Sequence, residues 1–118
     1  MPNQHETINY IELPASDFVA IKRFFSAVFS WTFTDYGEEY CAFSTPTMEG
    51  GFYQSDLKSS AASGSALIVF YSENLEATET KILKEGGEIV TPAFDFPGGR
   101  RFHFADPHGN EFAVWSDV

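Results

Sequence analysis

The sequence predicts an α+β fold of two β-α-β-β-β modules that form a curved mixed sheet around a cleft, and three observations carry that prediction. One is the helix-spaced apolar stripe Phe18, Ile21, Phe25, Val28 and Phe29, flanked by segments that alternate with a period of two. Another is the recurrence of the same element order after the small, polar stretch "SSAASGS" at residues 59–65. The last is the C-terminal "GGRRFHFADPHGNEFAVW", which reads as two short strands about one tight turn.

The elements follow in order. Residues 8–13 alternate as a strand, with Ile11 and Leu13 on one face and Tyr10 and Glu12 on the other. Pro14 ends it. Ser16 is the expected helix N-cap, with Asp17 in the first turn, where the dipole favours an anion, and the helix runs to about Ser30. Strands are expected at 31–36, 40–44 and 52–55, separated by Tyr36-Gly37-Glu38 and by Thr45-Pro46. After the linker, a strand at 66–71 leads to a cap at Asn74, a helix over 75–85 ended by Gly86-Gly87, and a strand at 88–90. In the closing hairpin Asp106 pairs with Asn110, Phe104 with Phe112 and His103 with Ala113, and Gly109 takes the left-handed position. One face of the hairpin then carries Phe102, Phe104, Phe112 and Val114. The other carries Arg101, His103, Glu111, Ala113 and Trp115. The chain therefore divides into module one over residues 6–57, a linker over 58–65 and module two over 66–118.

Composition narrows the function. Hydrophobic residues make up 43% of the chain, and 13 of its 118 residues are Phe, a load that supports a real core and excludes a disordered chain. A net charge of −10 leaves no basic stripe, so neither nucleic acid nor an anionic membrane surface is an expected partner. The same charge favours solubility and would draw a cationic ligand. Cys41 is the sole cysteine, so no intrachain disulfide is expected, and without a basic neighbour it does not read as a catalytic thiolate. The opening "MPNQHETINY" has neither a basic nor an apolar leader region, and a cytoplasmic location is the expectation.

The motifs in order resemble a known family. "Asp17 … Phe24-Phe25 … Val28-Phe29-Ser30-Trp31", "Leu83-Lys84-Glu85-Gly86-Gly87" and "Asp106-Pro107-His108-Gly109-Asn110" resemble landmarks of the vicinal oxygen chelate superfamily, the glyoxalase, bleomycin-resistance and extradiol dioxygenase group. The resemblance covers nearly the whole chain and implies the glyoxalase/bleomycin resistance-like fold and a homodimer. In metal-using members, two ligands come from the first strand of each module and two from the last, usually His, Glu or Gln. Carried over by position, these sites fall on Tyr10, Leu67, Ala113 and Tyr53. Leu and Ala cannot bind a metal, and a neutral Tyr is a poor ligand for an octahedral site. The expectation is thus a member without the family's metal site and with no other cofactor.

What remains is a set of side chains on the face away from the helices. His103 stands beside the vacated position at Ala113 and, with Glu12, is a candidate general base. Tyr10, Tyr53, Leu67, Arg101, His103, Glu111, Ala113 and Trp115 are the expected ligand-binding residues, with Arg101 suited to clamp a carboxylate or phosphate. Three readings follow. The favoured one is a glyoxalase-like protein that binds a small aromatic or amphipathic molecule in the cleft between its modules. The others are a glyoxalase-like lyase or isomerase with an unconventional or absent metal, and a non-catalytic protein-interaction module.

Overall fold

A computed structural model describes residues 3–118, which form two compact units, one ending at Leu57 and one running from Lys58 to Val118. In the first unit, β1 (Tyr10–Ala15) leads into α1 (Phe18–Phe29), followed by β2 (Thr32–Asp35), β3 (Tyr40–Ser44) and β4 (Glu49–Gln54). In the second, β5 (Ile68–Tyr71) leads into α2 (Leu75–Lys84), followed by β6 (Glu88–Phe96), β7 (Gly99–Ala105) and β8 (Glu111–Ser116). The sheet orders are β1-β4-β3-β2 and β5-β8-β7-β6, the same order used twice. Each sheet is mixed, because its first strand pairs parallel with its last while the remaining pairs are antiparallel.

Each sheet buries one face against its helix, and period-two alternation sorts the side chains. In the first unit Phe25 stacks on Trp31 at 4.4 Å between centroids, Trp31 stacks on Phe43 at 4.3 Å, and Phe52 lies 5.5 Å from Phe43. In the second, Phe104 stacks on Phe112 at 5.3 Å, and Phe70 lies 5.8 Å from Phe112. The buried Leu75 and Ile82 of α2 complete that core. The opposite face of each sheet carries polar and aromatic side chains together with small residues such as Gly51 and Ala113.

Several boundaries differ from the sequence reading, each for a local reason. The cap of α1 is Asp17 rather than Ser16, its carboxylate accepting the Ala20 N–H at 3.1 Å. Strand β1 continues through Pro14, which an edge strand tolerates because one side of its backbone has no neighbouring strand to bond. Strand β4 begins at Glu49, three residues earlier than expected, because Gly50 and Gly51 are paired within it. Strand β6 runs through Pro92 to Phe96, again on an edge, with register shifts between Ile89 and Thr91 and between Thr91 and Phe94. The stretch read as a linker is folded. Residues Ala61–Ser63 form one 3-10 turn with a Ser60 capping box, and the Ser59 N–H donates to Asn110 Oδ1 at 2.9 Å.

Candidate functional site

The β7–β8 hairpin sets the geometry of the second unit. Arg101 pairs with Trp115, His103 with Ala113 and Phe104 with Phe112, and the Asp106 N–H donates to the Asn110 carbonyl. Asp106 holds the turn: its Oδ1 accepts the N–H groups of His108, Gly109 and Asn110, each at 2.9 Å, and Gly109 takes φ +103°. Burial pushes the Asp106 carboxyl up, against the pull of these hydrogen bonds.

On the face away from α2, three side chains form a hydrogen-bonded chain. The Arg101 Nη2 lies 3.0 Å from His103 Nε2, and His103 Nδ1 lies 2.9 Å from Glu111 Oε2. A guanidinium only donates, so Nε2 accepts and Nδ1 carries the ring hydrogen that goes to Glu111. The Glu111 Oε1 accepts the Ala61 N–H at 3.0 Å, and the Glu111 N–H donates to the Ser59 carbonyl at 2.7 Å. The His103 hydrogen bond, helped by that of Ala61, holds the Glu111 carboxyl below its usual range. The pair is well shielded, the side chains of His103 and Glu111 being 15% and 12% exposed.

Aromatic rings frame this chain. The Arg101 guanidinium carbon lies 5.9 Å from the centroid of Phe94, and Phe94 lies 6.1 Å from the His103 ring. Trp115 sits 5.1 Å from Tyr71 and 6.2 Å from Phe96. The Arg101 Nε is buried with no acceptor among the described residues, a state that costs about 1–3 kcal/mol for an unmet buried donor.

The first unit carries a different arrangement on its corresponding face. The Tyr40 hydroxyl donates to Glu12 Oε2 at 2.9 Å and lies 2.7 Å from the Tyr10 hydroxyl, which therefore donates to it. Burial, then the hydrogen bonds to Tyr10 and Glu12, pushes the Tyr40 phenol well up. Tyr40 can lie there because Gly51 has no side chain: a Cβ on Gly51 would fall 2.0 Å from the Tyr40 hydroxyl oxygen. A surface pocket of about 340 Å³ in this unit is lined by residues such as Asn9, Ser44 and Glu49 and by none of these tyrosines.

The sequence-predicted residues are thus distributed between two units. Arg101, His103 and Glu111 come together, with Trp115 across the strand pair from Arg101. Ala113 sits beside His103 and is fully buried. Leu67 immediately precedes β5. Glu12 and Tyr10 join through Tyr40, while Tyr53 is cross-strand from Tyr40 and 37% exposed. One positional assignment changes. Leu13 and Phe70, each four residues before their helix caps, pair with Phe52 and Val114. One step back, Glu12 pairs with Gly51 and Val69 with Ala113, so the counterpart of Ala113 is Gly51 and not Tyr53. Among the described residues no three His, Cys, Asp or Glu side chains gather as a metal-holding group.

Sequence reasoning missed Tyr40, Gly51 and Phe94. Alternation against Cys41 and Phe43 was a usable signal for Tyr40. Phe94 lies beyond the strand expected at 88–90, in the part of β6 that continues to Phe96.

The glyoxalase/bleomycin resistance protein/dioxygenase superfamily model matches residues 7–114. The chain belongs to that superfamily. It is 26% identical over 98% of its length to "Putative glyoxylase CFP32" of Mycobacterium tuberculosis, and it spans about half (49%) of that protein. The fosfomycin resistance protein FosX of Listeria monocytogenes shares the fold, with TM-score 0.79, 16% identity and coverage of 98% of this chain and 96% of that one. A glyoxalase-related enzyme from Fulvimarina pelagi does too, with TM-score 0.76, 16% identity and coverage of 94% and 88%. No helix among the described residues is long and apolar enough to cross a membrane.

Proposed function

We propose that this superfamily member binds a small aromatic or amphipathic molecule on the face of its second unit away from α2, and does so without the superfamily's metal. The observation that carries the reading is the occupied lone pair of His103. Arg101 donates to Nε2, so the histidine is arranged as part of a polar floor rather than as a free base. Around that floor Tyr71, Phe94, Phe96 and Trp115 supply aromatic faces and edges, set at angles to one another, that such a ligand can pack against. The donor set does not suit a divalent ion at the superfamily's positions, which hold Tyr10, Gly51, Leu67 and Ala113.

Thermal shift and tryptophan fluorescence against a panel of aromatic compounds test this, with chelator and with added divalent ions in parallel. The expected result is a saturable rise in Tm with an aromatic compound that survives the chelator, since a ligand at 100 times its Kd adds about 2.7 kcal/mol. Stabilisation that appears only with a stoichiometric divalent ion would overturn the metal-free reading. A homodimer is the proposed assembly, checked by mass in solution.

One observation favours a second reading, a lyase or isomerase. Glu111 fixes the tautomer and orientation of His103, as an orienting carboxylate does for a catalytic base. Displacement of Arg101 by substrate would then free Nε2. Isomerisation of an α-keto hemithioacetal to the α-hydroxy thioester, in which a base at His103 moves the carbinol-carbon proton to the adjacent carbon, would establish it if His103→Gln loses the turnover.

A further inference from the structure

Resting on the binding reading above, we propose that the ligand of the second unit is an aromatic carboxylate, its oxygens taken by the Arg101 guanidinium and its ring set against Phe94. Two other cations of this chain pair with carboxylates. Arg100 grips Glu76 through two N–H groups at 2.6 and 3.2 Å, and Lys22 pairs with Asp35 at 3.0 Å. Arg101 pairs with no carboxylate among the described residues; its Nη2 goes to an imidazole, and its Nε is buried with no acceptor. A guanidinium holds a carboxylate by two parallel N–H···O bonds, and the Nε edge is one of the forks it can use.

The guanidinium is also held in place before any ligand arrives. His103 fixes Nη2, Glu111 fixes His103, and the Ala61 N–H fixes Glu111. The Glu111 carboxylate is engaged on both oxygens. Phe94 is the cover over Arg101. It is 41% exposed and lies on an edge strand where the β6–β7 register shifts between Thr91 and Phe94, so its ring can move without breaking a regular ladder. The chain's net charge of −10 does not forbid an anion at this contact, because distant surface charges are screened beyond about 8 Å at physiological ionic strength.

The test titrates benzoate and phenylacetate, and their neutral isosteres benzamide and phenylacetamide, into the full chain by calorimetry and tryptophan fluorescence. Wild type is expected to bind the carboxylates about tenfold or more tighter than the amides. Arg101→Gln and Arg101→Lys should both erase that preference, the lysine because it keeps the charge but has no Nε donor. Equal affinity of acid and amide for wild type overturns the carboxylate assignment and leaves the small-molecule reading standing; this comparison needs no variant to fold. A preference that survives in a folded Arg101→Gln does the same. Binding of none of the four probes overturns both.

Discussion

Arg101 donates its Nη2–H to His103 Nε2 at 3.0 Å, and that single bond decides what the histidine can do. An imidazole has one lone pair when neutral, and here it is spent on a guanidinium while the opposite nitrogen serves Glu111. The same bond leaves Arg101 half satisfied, with Nε buried and unmet. Arg101→Met should therefore be nearly neutral for stability. The variant leaves the His103 Nε2 acceptor unmet but removes the unmet buried Nε donor, so the two effects offset and urea denaturation should show a change within about 1 kcal/mol.

Glu111 should give the fold part of its acid sensitivity. Its carboxyl is held below the usual 4.5, first by the His103 hydrogen bond and then by the Ala61 N–H. A depressed folded value stabilises the native state above the ordinary unfolded value, and that contribution is lost as pH falls through the folded one. Urea midpoints at pH 7 and pH 3 should thus fall less steeply for Glu111→Gln than for wild type. An unchanged slope would mean that the pair contributes nothing to acid stability.

Gly51→Ala should displace Tyr40, because the new Cβ would fall 2.0 Å from the phenol oxygen. The expected loss is about 1–3 kcal/mol, the usual cost of forcing atoms into an occupied position. Tyr40→Ala should absorb most of that penalty, so the double variant should be less destabilised than the sum of the singles. Strict additivity in denaturant unfolding would show that the two positions do not meet.

Asp106→Ala should be among the most damaging single changes in the hairpin. It removes the acceptor of three backbone N–H groups and of the Asn110 amide at 3.1 Å, and about 2–4 kcal/mol is expected from chemical denaturation. Asp106→Asn should cost less. Its deficit should narrow as pH rises, because burial raises the Asp106 carboxyl and a raised folded value gives stability that is present at low pH and lost above it.

Much of the hairpin was legible in the chain. The pairs Phe104–Phe112 and His103–Ala113 follow from a short turn whose residues demand one register, and alternation then assigns every side chain to a face. The helix stripe and the repeated element order were legible for the same reason: they are local periodicities. Strand ends were less so, since Pro14 and Pro92 break a strand only where their missing N–H is needed, and both lie on edges.

The sequence by itself determined the fold and the repeat, because these depend on residue type and spacing along one strand or helix. Tertiary structure decided that Gly51 rather than Tyr53 answers Ala113, that Tyr40 bridges Tyr10 and Glu12, and that Arg101 occupies His103 while Phe94 covers both. Those relations join residues on different strands. They depend on the register between strands and on where long side chains come to rest, and neither is written in the spacing of a single segment.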